Sequence, residues 1–562
     1  MSVIQDVYGR AKPAFGRITK PDWSLPQWSW GRSGLVLTAG FVAGLVLLVP
    51  FYLIVRTVGM GVDIDIVNVL LKARTLTVLG NTLLLAASVT LAATAVAVPL
   101  AWLTTCTDLP AKRLWAILAA LPLVLPSYVA AFVFVSILTP KGLLQQTLYP
   151  LIGIERLPSL FGFPGAFLVL TLISYPYILL TVRAALQRMD PALNEAARSL
   201  GLSPWQAFWR LTLPYLRPAV VAGGLLVALY VLRDFGAVTM WQYSTFTRVI
   251  YNRYLGYKLD TAASLALVLV VVTAVILFYE SRSRGRGRYN RLAVGAGRKR
   301  RSTQLGKWRW PALVFVGSIV LTSLIIPTAG LLYWFWRGWQ QDFGVRVLGV
   351  PTSNVQSLTA LLQPAWNSVS ASFLAALFAM LLALPVAILV VRRPGKLSSL
   401  FERITYTSFA LPGLVVALAL VFFGTNVAGS LYQTLPLLLL AYAILFLPQA
   451  VSAQRTSFLQ VSACLEEAGR SLGRTPLHIF RRITLPLIWP GVLAGGALVF
   501  LTCMKELPAT LILSPIGFST LSTQVWTNIS EAFFARAAAP TLLLLLLSSL
   551  PLALLTLREE QH

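Results

Sequence analysis

Long apolar stretches alternate with short polar segments along almost the whole chain. Each apolar stretch has about 20 residues, the length that an α-helix needs to cross roughly 30 Å of hydrocarbon. Twelve such stretches lie near residues 35–55, 78–103, 114–137, 164–187, 216–240, 261–279, 311–336, 367–391, 404–424, 434–452, 488–513 and 539–557. The pattern therefore predicts an all-α polytopic membrane protein with about twelve transmembrane helices.

The composition supports this class and excludes a soluble multidomain protein. Hydrophobic residues make up 57% of the 562 residues, charged residues only 12%, and the mean hydropathy is +0.75. If the N-terminus is inside, 33 of the 46 Lys and Arg residues fall in cytoplasmic segments. Since such residues are retained on the cytoplasmic side, we expect both termini there. The net charge of +27 then indicates topology and contact with membrane lipid, not nucleic acid.

Two polar segments carry nearly the same sequence. LNEAARSLGLSPWQAFWRLTLPYLRP runs from Leu193 to Pro218, and LEEAGRSLGRTPLHIFRRITLPLIWP runs from Leu465 to Pro490, 272 positions later and without a gap. Over residues 190–218 and 462–490, 14 of 29 aligned positions are identical. The repeat continues outside these loops, in the pairs Asn81 and Asn367, Pro99 and Pro385, Pro126 and Pro412, Gly223-Gly224 and Gly495-Gly496, and Asp234 and Glu506.

The chain is thus predicted to be two six-helix halves fused in tandem. We expect a basic and aromatic cytoplasmic tail at 1–33, a first half at 34–280, a basic cytoplasmic linker at 281–310 and a second half at 311–558. The first half has 14 additional residues in an external segment. Because each half has an even number of spans, a pseudo-two-fold axis along the membrane normal is expected to relate them.

Each polar loop is predicted to contain two short helices at an angle. Asp190-Pro191 and Ser462 suit the start of the first helix, and Gly201 and Gly473 suit the left-handed residue that ends it. Ser203-Pro204 and Thr475-Pro476 suit the start of the second, and we expect the chain to re-enter the membrane at the following Leu-Pro. A single such loop is also compatible with a merely solvated helix, but two copies favour a docking function.

The Glu-Ala pair, the following Gly and the distant Leu-Pro form the EAA pattern, and the chain resembles the permease subunits of bacterial ABC importers. The resemblance implies a type I ABC importer permease fold in a bacterial plasma membrane, and coupling helices that dock on an ATPase. The docking residues that carry over are Glu195, Ala196, Gly201, Phe208, Arg210, Glu467, Ala468, Gly473, Phe480 and Arg482. The second copy reads Glu-Ala-Gly, and Gly469 is expected to loosen its helix by roughly 1 kcal/mol relative to Ala.

The partners expected from this resemblance are two ABC ATPase subunits and an extracytoplasmic solute-binding protein. No GxxxxGK[ST] loop occurs in the sequence, so ATP and Mg²⁺ are expected to bind to the ATPase and not to this chain. The sequence shows no catalytic constellation, and its three cysteines and two histidines form no metal-binding pattern. We therefore expect a transport subunit that is not an enzyme and holds no cofactor or metal of its own.

The chain is most similar to ferric iron importer permeases, with thiamine, polyamine and phosphonate permeases as alternatives. Asp234 and Glu506 are equivalent acids in apolar surroundings, beside Arg233 and Lys505. Such groups are costly in a membrane and often functional. They are candidates either for the path of a cation or for a gate. A secondary transporter is a distant alternative, because TTCTDLPAKR between helices two and three lacks the glycines and arginines of its GxxxDRxGRR loop.

Overall fold

The computed structural model describes residues 31–58, 72–140, 142–153, 157–189, 199–283, 303–340, 346–347, 350–351 and 358–559. Most of the predicted tail and the linker residues 284–302 therefore lie outside the described residues. The helices up to the linker are α1 Gly31–Val58, α2 Ala73–Cys106, α3 Lys112–Leu118, α4 Ser127–Leu138, α5 Leu143–Ile152, α6 Phe163–Arg188, α7 Pro204–Ala207, α8 Leu213–Arg233, α9 Gly236–Met240, α10 Phe246–Leu255 and α11 Leu259–Ser283.

The second half repeats this order. Its helices are α12 Arg309–Val320, α13 Ile326–Gln340, α14 Leu358–Arg392, α15 Lys396–Thr407, α16 Gly413–Asn426, α17 Leu435–Gln460, α18 Ala463–Ser471, α19 Pro476–Ile479, α20 Leu485–Met504, α21 Pro508–Leu513, α22 Leu521–Ser530 and α23 Phe534–Glu559. A two-residue hairpin, β1 Arg346–Val347 with β2 Val350–Pro351, is the strand structure of the described residues.

The prediction of an all-α polytopic protein is confirmed. Among the described residues, ten helical stretches are long and apolar enough to cross a membrane, and two apolar helices, Gly413–Asn426 and Phe534–Ser549, are shorter. Together they correspond to the twelve predicted stretches.

Two of the predicted helices are broken in the middle. The stretches 114–137 and 404–424 were expected to be continuous, but the chain is extended at Leu125 and Leu411, each directly before a proline, and a new helix starts after Pro126 and Pro412. Proline has no N–H to continue the ladder, and its ring disfavours a helical residue before it. The predicted stretches 216–240 and 488–513 are also interrupted, because α8 ends at Arg233 and α20 ends at Met504.

The two halves exchange their first helices. Helix α1 packs against α14, α15 and α16 of the second half, and its buried Val42, Val46 and Leu53 belong to that core. Reciprocally, Val316 and Val320 of α12 belong to the core of the first half. The halves are therefore joined by interlocked packing as well as by the linker.

Helix packing within each half relies on the paired glycines. A Cβ at Gly223 of α8 would lie 2.8 Å from Ile178 Cα of α6, and one at Gly495 of α20 would lie 2.5 Å from Ala453 Cβ of α17. Small residues allow membrane helices to approach closely. Because both contacts lie inside one half, these glycines serve packing and do not lie where the halves meet.

Candidate functional site

The second polar loop, residues 462–490, forms the helix pair that the sequence predicts. Ser462 caps α18, since its hydroxyl accepts a hydrogen bond from the Cys464 N–H at 3.3 Å. Gly473 ends the helix in the left-handed region with φ +72°. Helix α19 begins at Pro476 with Thr475 in extended conformation before it. The loop is thus a defined projection and not an irregular connection.

The described part of the first loop has the same design. Asp190, Glu195 and Ala196 lie outside the described residues, but Gly201 has φ +83°, again left-handed. Ser203 and Gln206 form a capping box at the start of α7, with Gln206 N–H to Ser203 Oγ at 3.3 Å and Ser203 N–H to Gln206 Oε1 at 3.0 Å.

At the Leu-Pro where the chain is predicted to re-enter the membrane, the helix does not break. In both halves the second short helix continues into the membrane helix through a π-type turn, Phe208–Thr212 or Phe480–Thr484. The resulting stretch Pro476–Met504 is one candidate span. A π-type turn widens the helix, which relieves the clash of a proline ring with the carbonyl four residues earlier. A force on α19 therefore acts directly on a membrane helix.

The predicted docking residues fall into two groups. Arg210, Arg482 and Ala468 are exposed, and Glu467 is half-buried. The two phenylalanines contact their own chain. Phe208 lies 5.8 Å from the Trp102 ring, and Phe480 packs on the cluster of Ala387, Phe458, Val461 and Ile488.

Two further residues were missed by sequence reasoning. Leu200 and Leu472 are equivalent, stand directly before the left-handed glycines, and are 83% and 79% exposed. Their identity within the repeated RSLG was the available signal. An exposed leucine at the tip of each projection offers an apolar contact to a partner.

Gly469 is explained by the angle between the two loop helices. A Cβ there would lie 3.0 Å from Ile479 Cγ1 and 3.3 Å from Ile483 Cδ1. The glycine therefore lets α18 lie close against α19, so its intrinsic cost to the helix is offset by this packing.

The two acids lie where membrane helices end. Asp234 Oδ1 accepts hydrogen bonds from the backbone N–H groups of Ala237 at 2.9 Å and Val238 at 3.3 Å, and Glu506 Oε1 accepts one from Ala509 at 3.3 Å. Each carboxylate thus caps a short helix, α9 or α21, by binding its free N–H groups. Both acids were predicted to lie inside continuous helices, at 216–240 and 488–513, and that prediction is wrong.

The cations beside these acids reach across to the other half. Arg233 Nη1 donates to the Phe409 carbonyl at 3.5 Å, and Lys505 Nζ donates to the Leu123 carbonyl at 3.4 Å. Phe409 stands 286 positions after Leu123, and Lys505 stands 272 after Arg233, so the two contacts are equivalent under the pseudo-symmetry. Both carbonyls belong to 3₁₀ turns, Leu121–Val124 and Ser408–Ala410, just before the helix breaks.

The backbone carbonyl of each acid is bound by a later helix of the same half. The Thr247 hydroxyl donates to the Asp234 carbonyl at 2.6 Å, and the Ser522 hydroxyl donates to that of Glu506 at 3.2 Å. These hydroxyls lie in α10 and α22. Movement of α10 or α22 therefore acts directly on the backbone of an acid.

No group of three or more His, Cys, Asp and Glu side chains that could hold a metal ion occurs in the described part of the chain. All three cysteines are free, with Cys464 exposed and Cys106 and Cys503 buried. The acids are therefore arranged as helix caps at the meeting of the halves and not as a cluster of ligands.

Two interlocked helical bundles with a repeated polar projection define a polytopic membrane transport component made of two equivalent halves. The family described as binding-protein-dependent transport system inner membrane component matches residues 97–280 and again residues 375–559. The chain belongs to this family, and it carries the family's domain twice.

Several characterised proteins are similar to the chain. The Fe(3+)-transport system permease protein FbpB 2 of Haemophilus influenzae is 35% identical over 516 residues, which are 91% of this chain and 96% of that protein. The ferric transport system permease protein FbpB of Actinobacillus pleuropneumoniae is 21% identical over 89% of this chain and 75% of its own length. The molybdenum transport system permease protein ModB of Escherichia coli is 34% identical, but over only 24% of this chain and 58% of its own.

Among solved structures, the inward-facing MetNI methionine ABC transporter matches 36% of this chain and 94% of its own with 19% identity and a TM-score of 0.30.

Proposed function

We propose that this chain forms the membrane path of an ATP-driven importer for ferric iron. The main support for ferric iron as the substrate is the 35% identity to a Fe(3+)-transport permease over nearly the full length of both chains. The relatives named for molybdenum and for 2-aminoethylphosphonate cover only 24% and 34% of this chain, so their substrates are weaker candidates.

The cytoplasmic partners are two ATPase subunits, one at each loop. The support is the shared geometry of the loops, in which a left-handed glycine follows an exposed leucine in both halves. ATP and Mg²⁺ would bind to these partners, and the chain would supply only the docking helices. A solute-binding protein would deliver the ion at the external face, near α10 and α22. This arrangement places the loops and both termini in the cytoplasm.

Transport in this scheme is a movement of one half against the other. The contacts of Arg233 and Lys505 with the opposite half must be broken or exchanged when the halves rock. The pairs are equivalent, so both halves would separate at the same level of the membrane. The adjacent carboxylates of Asp234 and Glu506 would then become available to a passing cation.

The proposal is tested by purifying the chain with the binding protein that it retains, followed by elemental analysis and mass spectrometry of the ligand. Stoichiometric iron supports the ferric assignment. Thiamine, a polyamine or a phosphonate as the ligand would support an importer but contradict ferric iron as its substrate. Uptake of radiolabelled ferric ion into proteoliposomes that persists without ATP would instead indicate a secondary transporter.

A further inference from the structure

Arg392, the last residue of α14, joins the second docking helix to the membrane domain. Its Nη2 and Nε both donate to Glu466 Oε1 of α18, at 2.8 and 3.1 Å. Arg392 and Glu466 retain only 19% and 13% exposure of their side chains. A charge-assisted pair with two donors to one carboxylate and little solvent is among the stronger contacts of this kind.

The pair is the centre of a junction between four elements. Arg392 Nη2 also donates to the Val461 carbonyl at the end of α17, at 3.3 Å. The Thr484 hydroxyl, in the π-type turn before α20, donates to the same Glu466 oxygen at 3.1 Å. Glu466 is therefore held from both sides, by the end of one membrane helix and by the start of another.

The first half has no counterpart of this junction in its sequence. The residue equivalent to Arg392 is Cys106, and the residue equivalent to Glu466 is Asn194. The end of α2 is instead bound by residues in the last part of the linker. Thr303 N–H donates to the Cys106 carbonyl at 2.8 Å, and Leu305 N–H donates to Asp108 Oδ1 at 2.9 Å.

We propose that Arg392 is a positioning residue that fixes docking helix α18 to membrane helix α14, and that the second docking loop consequently transmits ATPase movement more directly than the first. This inference rests on the proposed function, because it assumes an ATPase at the loops. A displacement of α18 is passed through one short ion pair to the ends of α14 and α17 and the start of α20. Glu466, which is adjacent to the EAA-type Glu467, acts within the chain while Glu467 is left for the partner.

The first test is made on the purified chain without any partner. Spin labels at Ser471→Cys of α18 and Leu397→Cys of α15, in a Cys464→Ser background, report the distance between docking helix and membrane domain by pulsed electron paramagnetic resonance. Arg392→Gln and Glu466→Gln are expected to broaden the distance distribution at least twofold. Arg56→Gln is the matched control, since Arg56 of α1 pairs with Asp260 of α11 at 3.0 Å and neither helix carries a label, and it is expected to leave the width unchanged.

The second test measures uptake of radiolabelled ferric ion per ATP hydrolysed, with the complex in proteoliposomes. Arg392→Gln and Glu466→Gln are expected to retain ATPase binding and hydrolysis but to lower this ratio at least threefold. The exchange Arg392→Glu with Glu466→Arg is expected to recover at least half of the lost coupling. The inference would be overturned if both single variants had the wild-type width of the distance distribution and the wild-type uptake per ATP hydrolysed. It would also be overturned if the exchanged pair recovered no coupling. A wild-type complex without ATP-driven iron uptake would refute the proposed function. The spin-label comparison would still show whether the Arg392–Glu466 pair fixes α18 to α14.

Discussion

Removing the exposed leucine at the tip of a docking loop is expected to weaken ATPase binding without changing the stability of the chain. Leu472→Ala deletes three side-chain carbons, worth about 2.4 kcal/mol if fully buried at about 0.8 kcal/mol per carbon. Because Leu472 is 79% exposed in the free chain, a partner groove can take up most of that surface. The expected loss is about 2 kcal/mol, or roughly 25-fold in affinity.

The equivalent change Leu200→Ala gives an independent second value. Leu200 is 83% exposed, so its loss is expected to be of similar size. The two loops are far apart in the sequence and contact separate subunits in the proposed assembly, so the effects should add. The double variant is then expected to lose about 4 kcal/mol summed over the two ATPase sites, which is roughly 25-fold in affinity at each site.

The assay is titration of detergent-solubilised chain with purified ATPase subunit, together with the thermal unfolding of the chain alone. Leu255→Ala is the control, because Leu255 is 56% exposed and belongs to α10, which the proposed assembly puts at the external face. The melting temperatures are expected to agree for all variants. If Leu472→Ala binds within twofold of the wild type, the partner does not bury this residue, and the docking surface described here is incorrect.

Three further predictions concern the centre and the loop geometry. Arg233→Met with Lys505→Met removes two contacts between the halves, each worth about 1 kcal/mol for a long hydrogen bond, so ATP hydrolysis without binding protein should rise several-fold; an unchanged rate would contradict a restraining role. Asp234→Asn with Glu506→Gln keeps both helix caps, because amide oxygens also accept, yet should lower ferric uptake at least tenfold with normal protein levels; intact uptake would remove the acids from the path. Gly473→Leu puts a side chain on a left-handed residue, at a cost of about 1–2 kcal/mol, although nothing lies within 4 Å of a Cβ there. Coupling between ATP hydrolysis and uptake should therefore fall because of the backbone conformation alone. Wild-type ATPase stimulation and uptake would contradict the importance of the left-handed helix end.

The membrane helices and the ends of the loop helices could be predicted because each follows from a local property of the sequence. Apolar length determines a span, and a left-handed glycine determines where α18 ends. The breaks at Pro126 and Pro412 could not be predicted, since Pro99 and Pro385 are accommodated inside helices in the same chain. A break leaves carbonyls without helical partners. The Leu123 carbonyl instead accepts a hydrogen bond from Lys505, which is hundreds of residues away in the sequence.

The direction of the side chains in the loops could not be predicted from the sequence either, because it depends on contacts with residues that are distant in the sequence. Phe208 and Phe480 are the first residues of the two π-type turns, and the family resemblance implied that they contact the partner. The structure places them against Trp102 and the Phe458 cluster, which are contacts between residues far apart in the sequence or on other helices. The Arg392–Glu466 pair was equally hidden, since its members are 74 positions apart and have no counterparts in the first half.

The exchanged first helices impose an order on synthesis. Helix α1 is complete at Val58, but the second-half helices that cover it begin at Leu358. At about 5–20 residues per second, the ribosome needs roughly 15–60 s to make the intervening chain. For that time α1 has only lipid against the face that later packs on the second half. A single polypeptide keeps this unfinished surface tethered to its own future partner, whereas separately made halves would have to find each other in the membrane.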